Sequence, residues 1–249
     1  MKHLLIAATL FLCCLTGRSQ QVVDVNTNNF PLSDPSSAIN NVTGLIYQPI
    51  KFVKVTAGTP FFKEEWMKAR LFDANGESYA SHSVRLNLFD NDVNFLDANG
   101  TEMVTTTPVK KIQLTDTTNG TQYLFVLGDQ IPGADKALAR VWLEVLVNDR
   151  VSLCRQIKKI MHETPAYRDA TTQEEILDVD HYFVRMNDTF IQIKGWSDLV
   201  QLFTDKKAAV DEYTHDHHLK GKSADDYTKL VQYYNSLKNA STAGAGNSR

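Results

Sequence analysis

His181-Tyr-Phe-Val-Arg-Met-Asn-Asp-Thr-Phe-Ile-Gln-Ile-Lys194 runs directly into Gly-Trp-Ser-Asp-Leu-Val-Gln-Leu-Phe203, and the hydrophobic period changes at the junction. Upstream, residues 181–185 and 189–194 read as two strands joined across Met186-Asn-Asp188, a hairpin. Downstream, Trp196, Leu199, Val200 and Phe203 follow the i, i+3, i+4, i+7 spacing of an amphipathic helix. Tyr227, Leu230, Val231 and Tyr234 repeat that spacing, with Ser223 at the N-cap and Asp226 at the capping-box position. Residues 206–218 between them are more polar, with Val210 and Tyr213 as apolar contacts. Strands therefore give way to helices near Lys194.

Turn signals alternate with short β-branched and aromatic runs from Gly44 onward. Asp73-Ala-Asn-Gly76 separates residues 66–72 from 78–88, and Asp97-Ala-Asn-Gly100 separates 93–96 from 101–105. Asn119-Gly120 divides 109–114 from 123–127. Asn and Gly tolerate the positive φ of tight hairpins. Val84, Leu86 and Leu88 alternate with Arg85 and Asn87, which predicts one buried and one wet face. Residues 140–147 and 151–160, around Asn148-Asp-Arg150, make a hairpin long enough to be central. Residues 162–175, polar and containing Pro165, read as the longest loop. The expected fold class is α+β, a curved antiparallel β-meander over residues 44–194 followed by two or three C-terminal helices over 195–238 in one domain. Each helix carries one apolar stripe, so it needs the sheet or its neighbour as a partner.

The N-terminus carries an address. Lys2 and His3 precede an apolar run, residues 4–15, broken only by Thr9, and Gly17 and Ser19 are small residues before Gln20. A dozen apolar residues fall short of the roughly 20 that span a bilayer, and the order is that of a signal peptide, residues 1–19. An extended arm is expected over 20–43 and a disordered tail over 239–249. Cys13 and Cys14 lie in the leader, which leaves Cys154 as the sole mature cysteine and excludes an intramolecular disulfide. The expected location is outside the cytosol, in a periplasm or at the cell surface, with no transmembrane segment in the mature chain.

The 249 residues include 26 basic and 29 acidic ones, a formal charge of −3. Loss of Lys2 and Arg18 with the leader makes this more negative, so nucleic acid and anionic membranes are poor partners. A hydrophobic content of 43% excludes a wholly disordered chain.

Gly58-Thr-Pro-Phe-Phe-Lys-Glu-Glu-Trp66, then Val84-Arg-Leu-Asn-Leu-Phe-Asp90, then Asp225-Asp-Tyr-Thr-Lys-Leu-Val-Gln-Tyr-Tyr-Asn-Ser-Leu237 resembles exported Gram-negative bacterial proteins of unknown function. The resemblance implies export and a β-then-α order. Its motifs are structural and transfer no catalytic residue.

His215-Asp-His-His218 is the sharpest cluster of reactive side chains. On a helix, Asp211 and His215 are four apart and His215 and His218 three apart, so one face offers a carboxylate and two imidazoles to zinc or copper. The competing reading is a solvated helix end, where histidines meet the dipole favourably. Asp90-Asn-Asp-Val-Asn94 begins like a calcium loop, but Phe95 stands where glycine belongs and Thr101 where a bidentate glutamate belongs. His162-Glu163 begins like a zinc protease, but Pro165 and Ala166 break the pattern. Cys154, in an apolar strand, reads as an inert buried thiol, and Trp66, Trp142 and Trp196 as packing residues. No nucleophile elbow or phosphate-binding loop occurs. The sequence therefore predicts a non-enzymatic exported protein without a cofactor, which binds an unknown protein partner or supports the envelope. The alternative is a carrier of a small lipophilic ligand in a cavity between sheet and helices.

Overall fold

A computed structural model describes residues 42–48, 55–165 and 172–245, all within one unit of the chain. The proposed leader, nearly all of the arm and residues 246–249 lie outside the described residues. Twelve strands form one sheet: β1 (Gly44–Ile46), β2 (Val55–Ala57), β3 (Met67–Asp73), β4 (Ser78–Asn87), β5 (Asp92–Leu96), β6 (Glu102–Thr105), β7 (Val109–Thr115), β8 (Gln122–Leu127), β9 (Trp142–Val147), β10 (Ser152–Pro165), β11 (Thr172–Met186) and β12 (Thr189–Ile193). Three α-helices follow, α1 (Trp196–Leu202), α2 (Lys207–Asp216) and α3 (Ala224–Ala245). The α+β class and the β-then-α order are as expected.

The strands run β1-β6-β5-β4-β3-β7-β8-β9-β10-β11-β12 across the sheet. Two meanders are thus joined where β7 returns beside β3. That return dictates curvature. Four strand spacings, about 19 Å, separate β6 from β7 along the sheet, whereas the chain from Thr105 to Val109 reaches at most about 15 Å. The sheet must roll, and its concave side encloses Met67, Leu71, Val84, Leu86, Ile112, Leu114 and Phe125, each essentially without solvent contact. Trp142 of β9 closes the roll from the far side, its indole Nε1 donating to the Asn91 carbonyl at 3.0 Å.

The two Asp-Ala-Asn-Gly turns are one solution used twice. Asp73 Oδ1 accepts from the backbone N–H groups of Asn75 and Glu77, and Asp97 Oδ1 from those of Asn99 and Thr101. Gly76 and Gly100 sit at φ 82° and 79°.

Three expectations need correction. The sheet is not wholly antiparallel, because β2 lies parallel to β11. Its link depends on Gly58, at φ 80°, where a Cβ would stand 2.0 Å from the Ile176 carbonyl oxygen. Residues 162–175 are not one long loop. β10 continues to Pro165 and β11 starts at Thr172, with His162 opposite Glu175 and Glu163 opposite Glu174, so polar residues there occupy a projecting hairpin rather than a break in it. Residues 207–216 form α2 around buried Val210, the third of the two or three helices expected. Finally, α3 continues through residues 239–245 of the expected disordered tail, where Ala240, Ala243 and Ala245 are strong helix formers.

The helices cover the base of the β9–β10–β11 region. Leu153 and Val184 meet Leu199, Phe203, Val210, Leu230 and Val231, all fully buried, and Phe203 stacks on Tyr234 with ring centroids 3.9 Å apart. The opposite face of the same strands packs Leu143, Cys154 and Phe183 against Ile131 and Leu138. One strand serves both layers because its register slips. Leu153 pairs with Val147 but Cys154 with Val145, and this bulge turns Val145 and Val147 to opposite faces.

Candidate partner-binding surface

The β10–β11 hairpin has fourteen cross-strand pairs, from Ser152 opposite Arg185 to Pro165 opposite Thr172. Its base is paired along both edges, whereas its far half is paired only along β11, where β2 meets Glu174 and Glu175. β9 pairs β10 from Leu153 to Arg155, and β12 pairs β11 from Tyr182 to Met186. Among the described residues, no strand lies along the outer edge of β10 over residues 158–165, a stretch about 25 Å long.

On one face, Leu153 packs in the helical core and Ile157 in the core of the rolled sheet. Arg155 lies at the seam between those cores. Its Nε and a terminal nitrogen donate to Glu144 Oε2 at 2.9 and 2.6 Å, and its other terminal nitrogen to Asp180 at 3.3 Å. Tyr182 donates its hydroxyl to Asp180 at 3.2 Å and stacks on Tyr227. Burial pushes the Glu144 carboxyl above its ordinary range even though Arg155 pulls it down. Farther out, buried Lys159 reaches Asp178 at 2.8 Å.

The other face changes character along its length. At the base, Cys154 pairs with Phe183 inside an apolar cluster, and burial pushes its thiol up to about 12. That is the inert thiol the sequence predicts. Beyond Gln156 and His181, Lys158 pairs with Val179 and Ile160 with Leu177. Ile160, Leu177 and Val179 are 39%, 40% and 37% exposed, three large apolar side chains grouped on one sheet face and flanked by Lys158 and His162. A contiguous apolar group rimmed by charge is the ordinary make-up of a contact surface. Leu45 and Ile46 are more exposed still, but β1 is three residues long and offers little area.

The residues singled out for chemistry are dispersed. The helix carrying Asp211 and His215 ends at Asp216, and His218 stands at φ 53°, so the three do not share a helical face. Asp211 is engaged by Lys207 at 2.6 Å, and His217 packs beside Tyr213. Among the described residues no three side chains of metal-binding type come together. Asp90 accepts from the buried Asn87 amide at 2.9 Å within the β4–β5 turn. His162 and Glu163 lie on a strand, where adjacent side chains point to opposite faces, so they do not face one ion together.

Sequence reasoning missed a second polar cluster on the convex side of the sheet. Arg85 lies between the rings of Phe61 and Trp66, 4.0 and 4.2 Å from their centroids, and pairs with Glu102 at 2.7 Å. Buried Asn94 donates to the other oxygen of Glu102 at 2.7 Å. Strand alternation in Val84-Arg-Leu-Asn-Leu88 placed Arg85 on the wet face, but nothing local revealed the two rings that cover it. The arrangement neutralises the cation internally and anchors the 61–66 segment.

Compared with protein families, with curated proteins and with solved structures, the chain matches none. No helix among the described residues is long and apolar enough to cross a membrane.

Proposed function

We propose that this chain is an exported, non-enzymatic protein that acts by binding a protein partner, and that the outer half of the β10–β11 hairpin is its contact surface. The observation that carries the reading is the grouping of Ile160, Leu177 and Val179, exposed together on one face of a hairpin whose β10 strand runs on past β9. Leaving three such side chains in water gives up roughly 1–2 kcal/mol each that burial against a partner recovers. Rigid strands present them, which keeps the ordering cost of binding low.

Asp116 is tied to Lys63 and Thr118, and Glu144 to Arg155, an arrangement suited to holding the fold rather than to proton transfer. A lipophilic carrier would need room between sheet and helices, where Leu153, Val184, Leu199, Phe203 and Leu230 are packed against one another. Residues 1–19, a short apolar run after Lys2 ending in small residues before Gln20, support export.

A photo-crosslinking residue in place of Leu177, with Lys136 as an exposed control position, tests the reading in cells producing the full chain. Crosslinks are expected from position 177 and not from 136, on a product recovered outside the cytosol with Gln20 at its N-terminus. A cytosolic product retaining Met1, or equal crosslinking at both positions, would overturn it.

A further inference from the structure

We propose that the occupant of this surface is a second copy of the same chain, joined edge to edge by antiparallel pairing of β10 with β10 of its mate about a two-fold axis at Met161. The inference rests on the reading of the outer hairpin as a contact surface and names its partner. An unpaired strand edge presents a row of backbone donors and acceptors that another strand satisfies, and residues 158–165 form such an edge among the described residues.

The charges select the register. The edge reads Lys158-Lys-Ile-Met-His-Glu163. With Met161 opposite its own symmetry mate, Lys159 falls opposite Glu163, and symmetry forms that pair twice. Ile160 falls opposite His162, and the two copies of Ile160 become diagonal neighbours, so the apolar groups of Ile160, Leu177 and Val179 merge into one strip across the junction.

Each copy holds an unmet demand for this contact. Glu163 stands directly opposite Glu174, a like-charge pair, and Glu174 Oε2 is buried without a hydrogen-bond partner. The buried ammonium of Lys159 has three donors and one ion-pair partner among the described residues, Asp178. Pairing in this register brings the second cation beside the paired glutamates, and parallel self-pairing, which aligns Lys159 with Lys159, does not.

Cysteine crosslinking measures the register. Partners across an antiparallel pair stand about 4.5–5.5 Å apart at Cα, within the span of a disulfide, whereas the two copies of residue 158 would be about 20 Å apart. Mild oxidation of the protein purified from cells producing the full chain is expected to link Met161→Cys into a covalent dimer and to leave Lys158→Cys unlinked. By sedimentation at about 100 μM the wild-type protein should have twice the chain mass. Glu163→Lys alone and Lys159→Glu alone should each weaken pairing about tenfold or more, and mixing the two variants should restore it, because each then supplies the charge the other lacks. A monomeric wild type that still crosslinks to another protein from position 177 would overturn self-pairing and leave the broader reading standing. A dimer indifferent to Glu163→Lys, or linking equally through residues 158 and 161, would overturn this edge as its interface.

Discussion

The side-chain amide of Asn235 holds both backbone hydrogen-bonding groups of Val151. The Val151 N–H donates to Asn235 Oδ1 at 2.9 Å, and Asn235 Nδ2 donates to the Val151 carbonyl at 2.8 Å. Both bonds are buried and join positions 84 residues apart, so α3 acts as a surrogate strand for the β9–β10 turn. Asn235→Ala would leave a donor and an acceptor buried and unpaired, at about 1–3 kcal/mol each. Urea unfolding should show a loss of roughly 2–4 kcal/mol, and Asn235→Asp should not restore it, because a carboxylate cannot donate to the Val151 carbonyl.

Glu144 and Arg155 give stability a pH dependence with a definite sign. Burial holds the folded-state pKa of Glu144 above its ordinary value of 4.5. The native state therefore favours the protonated carboxyl, and this contribution is fully present below pH 4.5 and lost as pH rises through the folded pKa. Glu144→Gln should abolish that part of the slope in unfolding free energy as pH rises above 4.5. Glu144→Ala should destabilise the fold at neutral pH by about 3 kcal/mol, since it strips Arg155 of its nearer partner.

Asp116 acts in the opposite sense. Hydrogen bonds from Lys63, at 2.7 Å, and from the hydroxyl and backbone N–H of Thr118 hold its carboxyl well below the usual carboxylate range. Its contribution is present above the unfolded value of 3.8 and lost as pH falls through the folded pKa. Asp116→Asn should lower the melting temperature at neutral pH, and the gap from wild type should close as pH drops below 3.8. A gap that stays constant in acid would contradict this account.

The Cys154 thiol, pushed up to about 12 and buried against Leu143 and Phe183, should not react with a thiol reagent at neutral pH in the native protein. In denaturant it should label completely. Labelling of the native protein would indicate local opening of β10.

Gly58 tests the β2 link. Gly58→Ala places a side chain on a positive φ and a Cβ 2.0 Å from the Ile176 carbonyl oxygen. The conformational part alone costs about 1–2 kcal/mol, and hydrogen exchange should accelerate around Glu174 and Ile176, where β2 departs from β11.

Local chemistry made much of the fold legible. The turn at each Asp-Ala-Asn-Gly follows from a side-chain acceptor placed before an Asn-Gly pair, and Ser223 supplies the expected cap, its hydroxyl accepting from the Asp226 N–H at 3.3 Å. Asp226 departs from a capping box, because its carboxylate accepts instead from the backbone N–H groups of Lys220 and Lys222. The Cys154 environment was readable too, since an apolar strand has few ways to keep a thiol wet. The outer hairpin was not. Residues 172–180 alternate acids with Ile176, Leu177 and Val179, and with apolar side chains on both faces no single period marks a strand. The histidine cluster failed as a helical triad for a related reason, because spacing assumes a continuous helix and says nothing of where the helix ends.

Sequence alone determined the strand-to-helix order and the hairpin turns, because periodicity and turn residues act over a few neighbouring positions. Only the tertiary structure decided that β2 lies parallel to β11, that Asn235 serves the backbone of Val151, and that one edge of β10 lies open among the described residues. Those outcomes depend on which distant groups compete for the same backbone partner, and that competition is settled in space rather than along the chain.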